Sequence, residues 1–362
     1  MADDKPDEAV SAALVDEDQP QHLDPELPPE IASPLAPFNG ASPPAPKWFH
    51  DALAHTPERT RVLVLGAEIE LLAWGERGKP GLIFVHGNSA HADWWSFIAP
   101  FFAHDFRVAA LSLSGMGASD WRESYSFDTF ATEIFECANV AGLYEASVKP
   151  IYIGHSFGGA QAFYSAAHHP ERMRACLLVD TGFGGPPTQA EIEEWTREEI
   201  AAGRPPPRFR GPMGRGGANR VYPTLEQALT RFRFMPPQVP GNLFIADYIA
   251  RRSLKPAPPP KGAGGAESTS GWTWRFDPGL WTKLDRSGMT AIDVASVATP
   301  LLHIYGDRSD IVRRHSFGGR RREQIPAWVP TIIIPDSEHH IMVDQPLALV
   351  AAMRAVLALW PA

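Results

Sequence analysis

Residues 149–167 read "KPIYIGHSFGGAQAFYSAA". A β-forming run, Ile151-Tyr152-Ile153, meets Gly154-His155-Ser156-Phe157-Gly158-Gly159, and a small-residue helical pattern follows. Gly-x-Ser-x-Gly between a strand and a helix is the pattern of a strained turn that exposes a serine hydroxyl. Neighbouring side chains would collide in such a turn, so glycines occupy the flanks. A serine hydroxyl alone is a poor nucleophile. It needs a base to take its proton and donors for the oxyanion it generates. The helix that starts beside Ser156 aims its N-terminus at that developing charge.

Outward from this stretch, short apolar runs recur. They are "GLIFVHG" (81–87), "RVAALSLSG" (107–115), "RACLLVDTG" (174–182), "TPLLHIYGD" (299–307) and "VPTIIIPDS" (329–337). Most are too apolar to alternate, as expected of strands covered on both faces of a parallel sheet. Helical patterns at 127–143, 158–169 and 346–359 separate or follow them, and "TRVLVLGAEIELLAWG" (60–75) reads as a strand pair turning near Gly66. Strands alternating with helices predict an α/β layer fold.

The chain has 362 residues and a formal net charge of −9. Residues 1–46 hold ten Asp and Glu against Lys5, together with ten prolines. Such a segment buries too little apolar surface to offset its ordering entropy, so it is expected to be a disordered tail whose removal leaves the body intact. The neutral remainder carries no nucleic-acid footprint, and no apolar run reaches the roughly 20 residues of a membrane span. The acidic N-terminus lacks the apolar core of a secretory signal. Cys137 and Cys176 have no metal or redox spacing and read as buried thiols. A cytoplasmic setting is therefore expected.

Alternation breaks over 183–290, which sets two core segments, 47–182 and 291–362, around an insert. The insert holds two Pro/Gly-rich loops and two capping-box pairs, Thr188 with Glu191 and Thr224 with Gln227. It reads as a helical cap. It is rich in aromatic residues, and over 183–288 it carries fifteen Lys and Arg against ten Asp and Glu. An apolar pocket that tolerates an anionic group on a small-molecule ligand fits this composition.

The base that Ser156 needs is expected near the C-terminus, where "PDSEHHIMVDQP" (335–346) offers His339 and His340. One of an adjacent pair can face inward while the other faces solvent. The acid that orients the imidazole is expected between serine and histidine. "IYGDRSDIV" (304–312) offers Asp307 and Asp310 there. Oxyanion donors are expected from the backbone N–H of Phe157 and from Asn88 in "FVHGNSAHADWW" (84–95). His86 reads as structural.

The motifs "HGNSAHADWW", "SLSGMGASD", "GHSFGG", "YGDRSDIV" and "SEHHIMVDQP", in this order, resemble the α/β-hydrolase superfamily. The resemblance runs from Trp48 to Pro361. It implies a mostly parallel eight-stranded sheet with helices on both faces and a cap insert. It also assigns roles residue by residue. Ser156 resembles the nucleophile, and His339 the first histidine of the family's His-His-x-x-x-Asp-x-Pro ending. Asp310 resembles the acid of its Gly-x-x-Ser-Asp loop, with Asp180 a second position for that acid. Two residues depart from the pattern. Ser112 stands where relatives usually carry Asp, and Glu338 where they carry Gly.

Dehalogenases and epoxide hydrolases of this superfamily use an aspartate nucleophile, so Ser156 argues against both. No cofactor and no metal are expected. The implied function is a serine hydrolase that cleaves a carboxylic ester or lactone through an acyl-enzyme. The alternatives are a C–C bond hydrolase of ring-cleavage products, or a lyase, on the same triad. A non-catalytic binding protein on this scaffold is disfavoured because all three triad positions are filled.

Overall fold

The structure, a computed structural model, describes residues 27–182, 197, 200–201, 218–258, 271–285, 287, 292–309 and 326–360. Eight strands build one sheet: β1 (Glu58–Val64), β2 (Ala67–Trp74), β3 (Gly81–Val85), β4 (Arg107–Leu111), β5 (Ile151–His155), β6 (Ala175–Val179), β7 (Leu301–Gly306) and β8 (Thr331–Ile334). Their spatial order is β1-β2-β4-β3-β5-β6-β7-β8. β1 and β2 pair antiparallel through a turn with Leu65 at φ 46° and Gly66 at φ 80°. A two-residue turn with both central residues in the left-handed region matches the twist of paired strands. β2 runs antiparallel to β4, and every later pairing is parallel.

Every residue of β3, β4, β5 and β6 is buried. Period-2 alternation sends Ile151 and Ile153 into one apolar core and Tyr152 into the other, one on each face of the sheet. The chief helices of the core are α3 (Phe127–Val140), α4 (Phe157–His168) and a C-terminal α7 (Pro346–Leu359). Ser126 opens α3 by accepting a hydrogen bond from the Thr129 N–H at 3.1 Å. Among the described residues no helix is long and apolar enough to cross a membrane. Cys137 and Cys176 are buried free thiols.

The expected tail ends too late at residue 46. Residues 1–26 lie outside the described residues, but 27–46 carry a short helix α1 (Pro29–Ala32) and a 3-10 turn at Ala36–Phe38. Leu35 is 2% exposed and belongs to the core cluster on one face of the sheet. The next helix, α2 (Lys47–Ala54), presents Phe49 to Phe244 and Tyr248 at 4.9 and 5.6 Å. Composition misled here because proline content and charge average over the few apolar residues that pack. Leu35→Ala should cost about 2–4 kcal/mol of stability, seen as a loss of at least ~4 °C in Tm by calorimetry. An unmoved Tm would show that this segment does not brace the body.

Within the expected cap, 218–258 and 271–285 are described, and their structure is mixed rather than helical throughout. Helices α5 (Leu225–Leu229) and α6 (Leu243–Arg252) accompany an antiparallel ribbon of Leu254–Ala257 with Gly271–Trp274. Trp272, Thr273 and Trp274 are β-formers, which the aromatic count alone did not reveal. Thr224 caps α5 by accepting from the Gln227 N–H at 3.1 Å, as its spacing predicted. The Thr188–Glu191 pair lies outside the described residues. Helix α6 reaches back to the N-terminal segment, where Arg251 Nη2 donates to the Gly40 carbonyl at 2.6 Å.

Candidate active site

Ser156 sits between β5 and α4 at φ 54° and ψ −120°, a region that non-glycine residues occupy only under constraint. The constraint is local crowding. A Cβ on Gly154 would lie 2.3 Å from the Gly158 carbonyl oxygen, and one on Gly158 would lie 2.3 Å from the His86 carbonyl oxygen. The turn is therefore closed to any side chain at these two positions. Ser156 itself is partly exposed.

Parallel register sets what lies beside it. His155 pairs with Val179 and Val179 with Ile304, so Ser156, Asp180 and Tyr305 stand level at or near the carboxyl end of adjacent strands. Neighbouring strands are about 4.8 Å apart. An imidazole laid over this edge can therefore reach both serine and aspartate.

His339 is laid there. Gly306, which ends β7, makes room for its loop: a Cβ at Gly306 would meet the Ser337 and Glu338 carbonyl oxygens at 2.3 and 2.5 Å. The His339 carbonyl is held by His155 Nε2 at 3.0 Å, and His339 Nδ1 faces Asp180 Oδ1 at 2.8 Å. Asp180 is fully buried and fully engaged. Its Oδ1 also accepts from Ser309 Oγ at 2.5 Å, and its Oδ2 accepts from the Gly306 N–H at 2.9 Å. Three donors thus fix this buried carboxylate in place.

The carboxylate on the histidine is thus Asp180, the second of the two positions weighed for the acid. Asp310 lies outside the described residues. From the loop expected to carry the acid, the described Gly306 N–H and Ser309 hydroxyl both bond Asp180. Asp307 is exposed and accepts from the Ser337 N–H at 3.2 Å, a bond within its own corner of the fold. The expectation that one histidine of the pair faces solvent also changes, since His339 and His340 are both buried.

The loop after β3 crosses over the serine. A Cβ at Gly87 would lie 3.3 Å from Ser156 Cβ, so the backbone leading to Asn88 passes against the nucleophile candidate. Asn88 is half-buried and its Nδ2 donates to Ser89 Oγ at 3.1 Å. Phe157 opens α4 without a side-chain cap from Ser156. His86 is structural as expected. Its Nε2 accepts from the Leu113 N–H at 3.0 Å while Nδ1 donates to the Gly87 carbonyl at 2.7 Å. Burial pushes its pKa down to about 3, so the ring is neutral. The carboxylate missing at Ser112 comes from Glu70, whose Oε2 accepts from Ser112 Oγ at 2.7 Å.

One further carboxylate organises the rim, the Asp of the His-His-x-x-x-Asp-x-Pro ending, to which the sequence reading gave no role. Asp344 accepts from the N–H groups of Glu338 at 2.9 Å and Gly241 at 3.0 Å and from Gln238 Nε2. Gln238 Oε1 in turn accepts from the His340 N–H at 2.9 Å. Burial raises the Asp344 carboxyl despite these donors. Gln238 and Gly241, within the expected cap, are thereby pinned to the histidine loop. Trp94 and Phe234 close one side of the site, each with its ring about 5 Å from that of His340.

The family model described as the alpha/beta hydrolase fold matches residues 80–346. The chain belongs to that family. Among curated proteins, it is 31% identical over 143 residues to epoxide hydrolase 4 of Mus musculus, a match covering 39% of this chain and 38% of that protein. The corresponding match to human epoxide hydrolase 4 spans 33% of that protein, so the chain aligns with 33–38% of the length of these two relatives. A longer match, 26% identical over 301 residues, joins 81% of this chain to 88% of the esterase Rv0045c of Mycobacterium tuberculosis. A thioesterase domain from the curacin biosynthetic pathway superposes with a TM-score of 0.58 at 19% identity, over 83% of this chain and 99% of that one.

Proposed function

We propose that the chain is a serine hydrolase that cleaves a carboxylic ester or lactone of a small, largely apolar substrate through an acyl-enzyme. The observation that carries this reading is the Asp180–His339 pair, 2.8 Å apart, beside a serine in the strained conformation of a nucleophile elbow. Ser156 Oγ attacks the carbonyl carbon while His339 Nε2 takes its proton. The same nitrogen then returns the proton to the leaving alcohol, and a water activated by His339 releases the acid. Asp180 keeps the proton of His339 on Nδ1 and stabilises the imidazolium. The N–H groups of Phe157 and Asn88 receive the oxyanion. The long match to a mycobacterial esterase supports ester chemistry. A serine at position 156 speaks against the aspartate-based chemistry that the resemblance associates with epoxide hydrolases.

The substrate enters beneath the cap, the insert of 183–290, whose described part brings Phe234 to the site. Two buried free thiols, Cys137 and Cys176, support a reducing compartment such as the cytoplasm.

The reading is tested by fluorophosphonate labelling of the purified chain, with Ser156 identified as the labelled residue by peptide mass spectrometry. Short p-nitrophenyl esters should turn over faster than a vinylogous diketone; the reverse preference would select the C–C hydrolase. No label and no turnover of either substrate would defeat both.

Ser309 follows as a positioning residue. Its hydroxyl touches Asp180 and not the reacting atoms. Ser309→Ala should lower kcat by about 10-fold, the equivalent of one charge-assisted hydrogen bond, and leave KM nearly unchanged. A rise in KM with unchanged kcat would instead place Ser309 in substrate binding.

A further inference from the structure

We propose that His155, His339 and His340 form a site for one late first-row divalent cation (Zn²⁺, Ni²⁺ or Cu²⁺) whose binding switches the enzyme off. One ring nitrogen from each of the three lies within 4.8 Å of those of the other two. All three rings are buried. The inhibitory consequence rests on the reading of His339 as the base, whereas the site itself does not.

The second partners of these rings are those that ligating imidazoles use. A metal-bound histidine donates its other ring nitrogen to a carboxylate or a backbone carbonyl, which fixes its tautomer and raises its basicity. His339 Nδ1 has the Asp180 carboxylate at 2.8 Å, leaving the lone pair on Nε2. His155 Nε2 has the His339 carbonyl at 3.0 Å, leaving the lone pair on Nδ1. His340 differs: among the described residues neither ring nitrogen makes a hydrogen bond of ordinary geometry, although the Met235 backbone lies near it. A buried imidazole so poorly partnered is costly, and a cation would supply the missing partner.

Geometry sets the remaining demand. Bonds of ~2.0–2.1 Å in a tetrahedron put ligand nitrogens about 3.4 Å apart. The rings must therefore close by on the order of 1 Å. The partly exposed Ser156, which follows His155 directly, leaves an opening for water or its own hydroxyl in the fourth position. Three imidazoles with no thiolate select late first-row cations over Mg²⁺ or Ca²⁺. A cation bound to Nε2 of His339 takes the lone pair that must accept the serine proton.

The test uses the full chain and two readouts. Co²⁺ is titrated into the wild type and Ser156→Ala while the visible bands of tetrahedral Co²⁺ are followed, and Zn²⁺ is titrated into the ester assay with EDTA reversal. One equivalent of Co²⁺ should develop the bands in both proteins. His340→Phe and His340→Gln should each lose them and raise the half-inhibiting Zn²⁺ concentration by at least ~10-fold, read against each variant's own uninhibited rate. Bands in a protein that hydrolyses no ester would leave the site standing and remove the hydrolase reading. Absence of bands in the wild type at saturating Co²⁺ overturns the site. So does Zn²⁺ inhibition of undiminished potency in both His340 variants.

Discussion

Ser156→Ala is expected to lose at least ~10⁴-fold in turnover while the protein stays folded. The substitution removes one hydroxyl and almost no volume. The elbow is held by the crowding around Gly154 and Gly158 and by two backbone bonds that Ala keeps. The residue-156 N–H donates to the Val179 carbonyl at 3.1 Å, and its carbonyl accepts from Thr181 Oγ1 at 2.7 Å. Tm should therefore move by no more than a few degrees. Ester hydrolysis and a thermal melt on the same preparation check both halves. A variant that hydrolyses esters at a rate comparable to the wild type would remove Ser156 from the chemistry. A collapsed Tm would show that its hydroxyl holds the turn.

Asp180→Asn is expected to cost ~10³- to 10⁴-fold in kcat, because an amide near His339 Nδ1 favours the wrong imidazole tautomer. Stability should fall as well. The carboxylate now accepts three donors: His339 Nδ1, Ser309 Oγ and the Gly306 N–H. An asparagine offers one oxygen, so a buried donor goes unpaired at a cost of about 1–3 kcal/mol. Asp310→Asn and Asp307→Asn should each lose far less activity. Among the described residues, Asp307 accepts from the Ser337 N–H. Rates for the three variants under one assay decide the matter. If Asp310→Asn proves the most damaging, the acid belongs to the loop after β7, as the motif alone would have placed it.

Much of the fold was legible because its causes are local. Runs such as Leu82–Val85 and Ile151–Ile153 are apolar without alternation, which is the mark of strands covered on both faces. The turn at Leu65–Gly66 and the Thr224 cap depend on residues within a few positions of each other. Ser156 was legible for the same reason: the elbow needs only its own glycines. The packing of Leu35 was not legible, because a proline-rich stretch becomes ordered only when a distant surface is present to receive it. Here that surface includes helix α6, some 200 residues onward.

The sequence by itself determined the strand–elbow–helix unit, the alternation of strands and helices, and which loops deliver serine, histidine and candidate acids to one edge of the sheet. It did not determine which acid meets the histidine. Asp180 and Asp310 both follow a strand, and each lies between Ser156 and His339 in the chain. Only the tertiary structure put Asp180 level with Ser156 through the β5–β6 register, and brought the His339 loop across Gly306. It also turned Ser309 and the Gly306 N–H onto the buried carboxylate. The candidate triad is a set of distances, and those to His339 span more than 150 residues of chain. Such distances follow from strand order and register, which no local pattern encodes.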